Sequence, residues 1–72
     1  MEETMDDCKM KFHDRLLEYE NMHDESSILA YSMWMSGYIT CLRENGLISD
    51  RDFIDCLREN DKQKEITLNV NM

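Results

Sequence analysis

The sequence predicts a mainly α protein: a three-helix bundle built on a helical hairpin, with a C-terminal strand or extended tail, assembled as a dimer. The chain has no proline and two glycines, which favours long helices over a loop-rich fold. A nearly all-apolar segment after Ser27 leads to a glycine stop and then to a second capped helix that includes Phe53. Seventy-two residues make one small domain, which buries only about 60% of its unfolded surface. Domains of this size commonly need a further support, such as a partner subunit.

The end of the apolar helix is predicted from Asn45-Gly46. Gly46 supplies the left-handed C′ position that many helix ends require. Leu47 then occupies C″, where its side chain contacts Leu42 at C3, as in a Schellman motif. The segment therefore predicts a tight turn that begins at residue 45.

The start of the next helix is predicted from Ser49. Ser49 is placed as the N-cap, and Asp52 at N3 stands where a capping box carries Glu or Gln. Ile48 and Phe53 fall at the N′ and N4 positions of a hydrophobic staple. Each such device stabilises a helix by about 0.5–2 kcal/mol, so the turn between the two helices is short and well defined.

Hydrophobic periodicity places three helices along the chain. The first spans residues 3–22, the second begins at Asp24 or Ser26 and ends at residue 44 or 45, and the third spans residues 50–60. The first helix carries one apolar stripe at three- and four-residue spacing, formed by Met5, Cys8, Phe12, Leu16, Tyr19 and His23.

The last residues show a different period. Asn60 and Asp61 weaken a helix, and apolar residues then alternate with polar ones at Ile66, Leu68, Val70 and Met72, as in a strand. The predicted division is a helical domain over residues 1–61 and a strand or tail over residues 62–72. A lone strand cannot satisfy its own backbone hydrogen bonds. It must pair with a second copy, join a sheet edge of another protein or remain a loose tail.

The second helix is apolar over most of its circumference. On a helical wheel six of its large apolar side chains share one arc, and Met33, Leu29 and Ile39 lie outside that arc. One interpretation is a central core helix of a monomer, buried on most sides. The other is an interface with a second copy or with a protein partner, since Trp and Tyr are enriched at interfaces. The predicted interface residues are Tyr31, Trp34, Met35 and Tyr38.

The net charge of −8 is distributed unevenly. Residues 1–25 hold nine acidic and three basic side chains, whereas residues 26–49 are neutral overall. One face of the first helix is predicted to present a row of carboxylates: Glu3, Asp7, Asp14, Glu18 and Glu25. Such a row is either a solvated face that keeps the protein in solution or a surface that binds a basic groove, for example the nucleic-acid channel of another protein.

Several function classes are disfavoured. No basic patch is present to bind nucleic acid directly, and no apolar run is long enough to span a membrane. Three cysteines and no secretory signal predict a reduced, cytoplasmic protein rather than a disulfide framework. Cys8, His13 and His23 match no zinc-ligand spacing, and no nucleophile–base pair or phosphate-binding loop appears. The sequence predicts a non-enzymatic protein without metal or cofactor.

One resemblance adds to these inferences. Gly37-Tyr38, Leu42, Gly46, Ile48-Ser49 and Phe53 form the pattern G-Y-x₃-L-x₃-G-x-I-S-x₃-F. It resembles the helical hairpin of small accessory proteins from phages and mobile elements. The resemblance implies no catalytic residues. It implies roles such as inhibition of host defence, including anti-CRISPR activity, modulation of host transcription, or ligand capture, in the cytoplasm of a host cell.

Two functions are therefore expected to compete. The first is a non-enzymatic acidic inhibitor that occupies a functional surface of a host nucleic-acid-handling protein. The alternative is a small regulatory or structural homo-oligomer whose interface could enclose a small ligand. Ionic strength separates them, because electrostatic capture of a basic partner weakens in salt and apolar self-assembly does not.

Overall fold

The described part of the protein is a helical bundle. The computed structural model describes residues 5–71, with side chains from residue 7 onward. Within that range the chain forms α1 (Met5–Leu16), a 3₁₀ helix (Leu17–Asn21), α2 (Glu25–Glu44) and α3 (Asp50–Asn71). Helix accounts for 88% of these residues. The prediction of a mainly α, three-helix bundle is confirmed.

The turn after α2 has the predicted Schellman geometry. Gly46 has a φ of 68°, in the left-handed region where only glycine avoids a steric penalty. The amide of Leu47 donates to the carbonyl of Leu42 at 2.9 Å, and the amide of Gly46 donates to that of Arg43 at 3.0 Å. These are the two hydrogen bonds that define the motif. They close the last turn of α2 and reverse the chain toward α3.

The helix starts also follow local chemistry. The Ser49 hydroxyl accepts a hydrogen bond from the amide of Asp52 at 3.1 Å, as predicted for an N-cap. Asp24, rather than Ser26, caps α2, since its carboxylate accepts from the amide of Ser27 at 2.9 Å. This hydrogen bond lowers the pKa of Asp24, because it stabilises the charged carboxylate.

The apolar core lies where α1 crosses the hairpin of α2 and α3. Its buried members come from all three helices and from the turn: Cys8, Phe12, Met35, Ile39, Leu42, Ile48 and Cys56. Phe53 is partly buried and packs against them, so both members of the predicted staple join the core. The Lys9 ammonium pairs with Asp52 at 3.3 Å and adds a polar contact between α1 and α3.

A second, polar region holds the other half of the bundle together, and we call it the polar layer: Tyr19, Ser32 and Asn60. The Tyr19 hydroxyl donates to Asn60 Oδ1 at 2.6 Å, and Asn60 Nδ2 donates to the carbonyl of Ser32 at 3.2 Å. Tyr19 is fully buried and Asn60 is 1% exposed. The layer joins the 3₁₀ helix to α2 and α3, and it fixes their relative positions because hydrogen bonds are directional.

The predicted C-terminal strand or tail is wrong for the residues that the structure describes. α3 continues to Asn71, past the boundary predicted between residues 61 and 62, and Met72 lies outside the described range. Asn60 does not weaken the helix, because the polar layer uses its side chain. A helix also satisfies its backbone groups within the segment, which a lone strand cannot do. Thr67 faces inward at 6% exposure, whereas Val70 is 79% exposed.

The first helix is shorter than predicted. α1 ends at Leu16, and a 3₁₀ helix replaces the last turns of the expected 3–22 segment. The tighter 3₁₀ turn changes the rotation per residue, which brings Tyr19 into the polar layer. His23 was predicted to belong to the apolar stripe, but it lies beyond this helix and is exposed.

Candidate interaction surface

Three aromatic side chains form a stack along one side of α2, and we call it the aromatic stack: Tyr31, Trp34 and Tyr38. Spacings of three and four residues place them on the same helix face. The ring centroids of Tyr31 and Trp34 are 5.6 Å apart with planes inclined by 16°. Those of Trp34 and Tyr38 are 5.5 Å apart with planes inclined by 9°. The rings therefore make one continuous, ordered surface.

Arg15, in the last turn of α1, lies over this surface. Its Cζ atom is 5.3 Å from the Trp34 ring centroid and 5.0 Å from that of Tyr38. Both distances are within the roughly 6 Å at which a guanidinium is attracted to the face of an aromatic ring. Within residues 7–71, no carboxylate forms an ion pair with Arg15.

Tyr31 anchors the stack to the rest of the fold. Its hydroxyl donates to the carbonyl of Arg15 at 2.8 Å, and its ring meets Tyr19 edge-on at a centroid distance of 5.0 Å. Burial and then the charge of Glu18 raise the pKa of Tyr31. Tyr31 thus fixes one end of the stack to the interior of the bundle.

The exposures of the predicted interface residues differ sharply. Trp34 is 49% exposed, whereas Tyr31 and Tyr38 are partly buried and pack against the core. Met35 was predicted beside them, but it is fully buried within the core and does not lie on this surface. The predicted set was too wide because residues 31–38 carry both the core face and the aromatic face of α2.

The predicted row of carboxylates does not lie on one straight helix. Glu3 falls outside the described residues. Asp7 and Asp14 are exposed on α1, Glu18 is exposed on the 3₁₀ helix, and Glu25 is exposed in the first turn of α2. The wheel that aligned them assumed a continuous α-helix to residue 22, and that assumption fails after Leu16.

Two of these carboxylates do lie together, next to the aromatic stack. Asp14 and Glu18 line a shallow depression of about 310 Å³ with Lys11 and Arg15. Because Arg15 also lies on Trp34, the depression and the stack are adjacent. The structure therefore places aromatic rings, one guanidinium and two exposed carboxylates on a single side of the bundle.

Sequence reasoning did not identify Arg15 as part of this surface. Its position one helix away from Trp34 depends on how α1 packs, which no local pattern encodes. A signal was nevertheless present, since Arg15 is one of only three basic residues among the first 25. A lone arginine in an acidic segment needs a partner, and an aromatic face is one that a guanidinium uses readily.

Other kinds of chemical site have little support in the described part of the chain. Residues 7–71 contain no cluster of three or more His, Cys, Asp or Glu side chains able to hold a metal ion. None of the three cysteines forms a disulfide: Cys8 and Cys56 are buried, and Cys41 is exposed. A groove of about 380 Å³ lies between the 3₁₀ helix and the end of α3, and its lining combines apolar side chains such as Met22 and Ile66 with polar ones such as Gln63 and Asn71.

No family model, curated protein or solved structure matches this chain. None of the described helices combines the length and the apolar character needed to cross a bilayer.

Proposed function

We propose that this chain is a non-enzymatic protein-binding module that docks on a basic surface of its partner through the aromatic stack. The observation that carries this proposal is the exposure of Trp34 in the middle of an ordered stack of rings. Trp, Tyr and Arg dominate the residues that contribute most to binding energy at interfaces. Here all three types adjoin one another, and the fold already holds the rings in place. Little conformational entropy is therefore lost when a partner binds.

Charge selects the kind of partner. A net charge of −8 attracts a basic protein surface over long distances and accelerates encounter. Asp14 and Glu18 supply negative charge beside the stack itself. A basic surface of sufficient size is typical of proteins that handle nucleic acid. A module that covers such a surface competes with the nucleic acid and acts as an inhibitor.

A second candidate function is that of a small homo-oligomer, and the outer side of α2 favours it. Four exposed residues there carry no charge: Ala30, Met33, Gly37 and Cys41. Met33 is 77% exposed, and a Cβ atom added to Gly37 would meet nothing within 4 Å. Between two chains of equal negative charge, contact is least unfavourable where charged side chains are missing.

The proposed docking is tested by capture from a bacterial lysate with matched variants. The immobilised parent chain should retain a basic protein, identified by mass spectrometry, and added nucleic acid should release it. Trp34→Ala should lose this protein, because the centre of the stack is removed. Ile54→Ala is the matched control, since Ile54 is 48% exposed on α3, where it takes no part in the stack. Asp14→Asn with Glu18→Gln should weaken capture most at low salt.

Equal retention by Trp34→Ala and the parent chain contradicts docking through the stack. The homo-oligomer is assessed separately by sedimentation at micromolar concentration, where a dimer has twice the chain mass of 8.7 kDa. Gly37→Leu should then restore the monomer mass, because it adds bulk to the outer side of α2 and meets no atom of its own chain.

A further inference from the structure

We propose that the aromatic stack is a binding site for an arginine side chain of the partner, and that Arg15 occupies this site in the free chain. The inference rests on the proposed docking of a basic partner, and it names the chemical group that the stack recognises. It also assigns Arg15 a definite role. Arg15 is an internal ligand that the partner's arginine displaces.

The geometry of Arg15 shows that the rings can hold a guanidinium. Its Cζ atom is 5.3 Å from the centroid of Trp34 and 5.0 Å from that of Tyr38, so one planar cation contacts two rings. Trp34 remains 49% exposed with Arg15 in place, which leaves the site open to a molecule in solution. An incoming guanidinium would meet the same ring faces that already attract Arg15.

Arg15 is held weakly enough to be displaced, as a comparison with Arg43 shows. Arg43 lies 4.7 Å above the Phe53 ring, and its Nε atom also forms an ion pair with Asp50 at 2.9 Å. Arg15 has the aromatic contact without an ion pair to any described carboxylate. An exposed cation–π contact on its own is weak. Arg15 is therefore held by ring contacts alone and can leave the rings at little cost, whereas Arg43 has an ion pair in addition to its ring contact.

The carboxylates beside the stack favour arginine over lysine. Asp14 and Glu18 line the depression together with Lys11 and Arg15, and all four side chains are exposed. A guanidinium stacks on a ring with its face while its edge donates two parallel hydrogen bonds to a carboxylate. An ammonium is a compact, strongly hydrated charge and cannot make both contacts in this way. The site should therefore distinguish two peptides of equal charge.

The test uses two short, flexible peptides as probes, one with three arginines and one with three lysines separated by glycine. Trp34 is the only tryptophan of the chain, so its fluorescence reports binding at the stack alone. The arginine peptide should change this fluorescence and bind more tightly than the lysine peptide. Arg15→Gln should tighten binding of the arginine peptide by about three- to tenfold, because removing an internal competitor raises the fraction of open sites.

Arg43→Gln is the matched control, since it removes the same charge from another arginine that lies over an aromatic ring. It should leave the affinity for the arginine peptide close to that of the parent chain. Trp34→Leu provides a second variant, whose binding is followed by amide chemical shifts because it contains no tryptophan, and it should abolish the preference for arginine. Circular dichroism and thermal unfolding establish that each variant is folded.

Four results would overturn the inference. Weaker binding by Arg15→Gln would make Arg15 a contact of the partner rather than an internal ligand. Equal affinities for the two peptides would show that the stack is not a specific arginine site. So would a failure of the arginine peptide to bind either the parent chain or Arg15→Gln. Addition of the arginine peptide that changes only the amide chemical shifts of Asp14 and Glu18, with unchanged Trp34 fluorescence, would also refute it. Docking of a basic partner is judged separately, by lysate capture.

Discussion

The polar layer and the aromatic stack both contain tyrosine but have opposite relations to solvent. The polar layer contains Tyr19, which lies next to α2, and the stack contains Tyr31 and Tyr38 of α2 itself. Both regions connect α2 to the N-terminal part of the chain. Tyr19 and Asn60 in the polar layer are almost completely buried, whereas Trp34 in the stack is half exposed. Within residues 7–71, no buried side-chain nitrogen or oxygen lacks a hydrogen-bond partner.

The difference shows how a small bundle separates stability from recognition. A buried hydroxyl or amide must be paired, so each member of the polar layer is needed by the others. A ring at the surface loses little packing energy when a neighbouring side chain moves, and its exposed face is available to a partner. We therefore expect substitutions in the polar layer to reduce stability and substitutions in the stack to reduce binding.

The largest expected effect is that of Asn60→Ala. It removes the acceptor of the buried Tyr19 hydroxyl and the donor to the Ser32 carbonyl, and it leaves a small cavity. We expect the free energy of unfolding to fall by about 2–4 kcal/mol. Urea unfolding measures this change, and Asn69→Ala, exposed on the same helix, is the control. Equal losses for the two variants would show that the polar layer does not stabilise the fold.

The next effect distinguishes the two glycines. Gly46→Ala should lower the free energy of unfolding by about 1 kcal/mol, because alanine resists the left-handed conformation at φ 68°. Gly37→Ala should raise it by about 0.5–1 kcal/mol, since Gly37 is exposed within α2 and an added Cβ meets no atom within 4 Å. Thermal unfolding compares the variants. A lower melting temperature for Gly37→Ala would show that the outer side of α2 contributes to the stability of the fold.

The smallest expected effect appears at alkaline pH. Burial raises the pKa of Tyr19, so the native state keeps its phenolic proton at a pH where the unfolded chain releases it. The stability from this group is complete below the unfolded pKa of about 10, and it is lost as pH rises above that value. Urea unfolding from pH about 9 to about 11 should show a shallower decline for Tyr19→Phe than for the parent chain.

Tyr31→Phe is the control for the alkaline experiment, since it removes a tyrosine of the stack and retains that of the polar layer. Burial also raises the pKa of Tyr31, and Glu18 adds to this shift. We expect Tyr31→Phe to keep most of the alkaline decline, because Tyr19 is the more deeply buried of the two. The reverse order would mean that Tyr31, rather than Tyr19, causes most of the alkaline loss of stability.

The sequence predicted well the features that neighbouring residues determine. The Schellman turn at Gly46 and the cap at Ser49 depend on residues within one or two turns of helix, and both are confirmed. The C-terminal strand was wrong for the opposite reason. Asn60 is held by Tyr19, 41 positions earlier in the chain, and a pattern of alternating residues contains no information about that contact.

The candidate surface follows the same rule. Tyr31, Trp34 and Tyr38 were predicted together because their spacing alone puts them on one helix face. Arg15 was missed because it reaches the stack only through the packing of α1, and Met35 was included because the inward direction of α2 was not yet fixed. The predicted inhibitor role, the homodimer and the identity of the partner remain predictions for the experiments above.

The position of Cys41 gives the molecule a chemical handle for those experiments. Cys8 and Cys56 are buried, and burial raises the pKa of the Cys56 thiol, which keeps it in its unreactive protonated form. A maleimide dye should therefore attach selectively at the exposed Cys41 of the unaltered chain. Cys41 lies seven residues beyond Trp34 on the same helix, a separation of about 10 Å along its axis. A dye at Cys41 whose emission depends on its surroundings then reports what approaches α2 from outside.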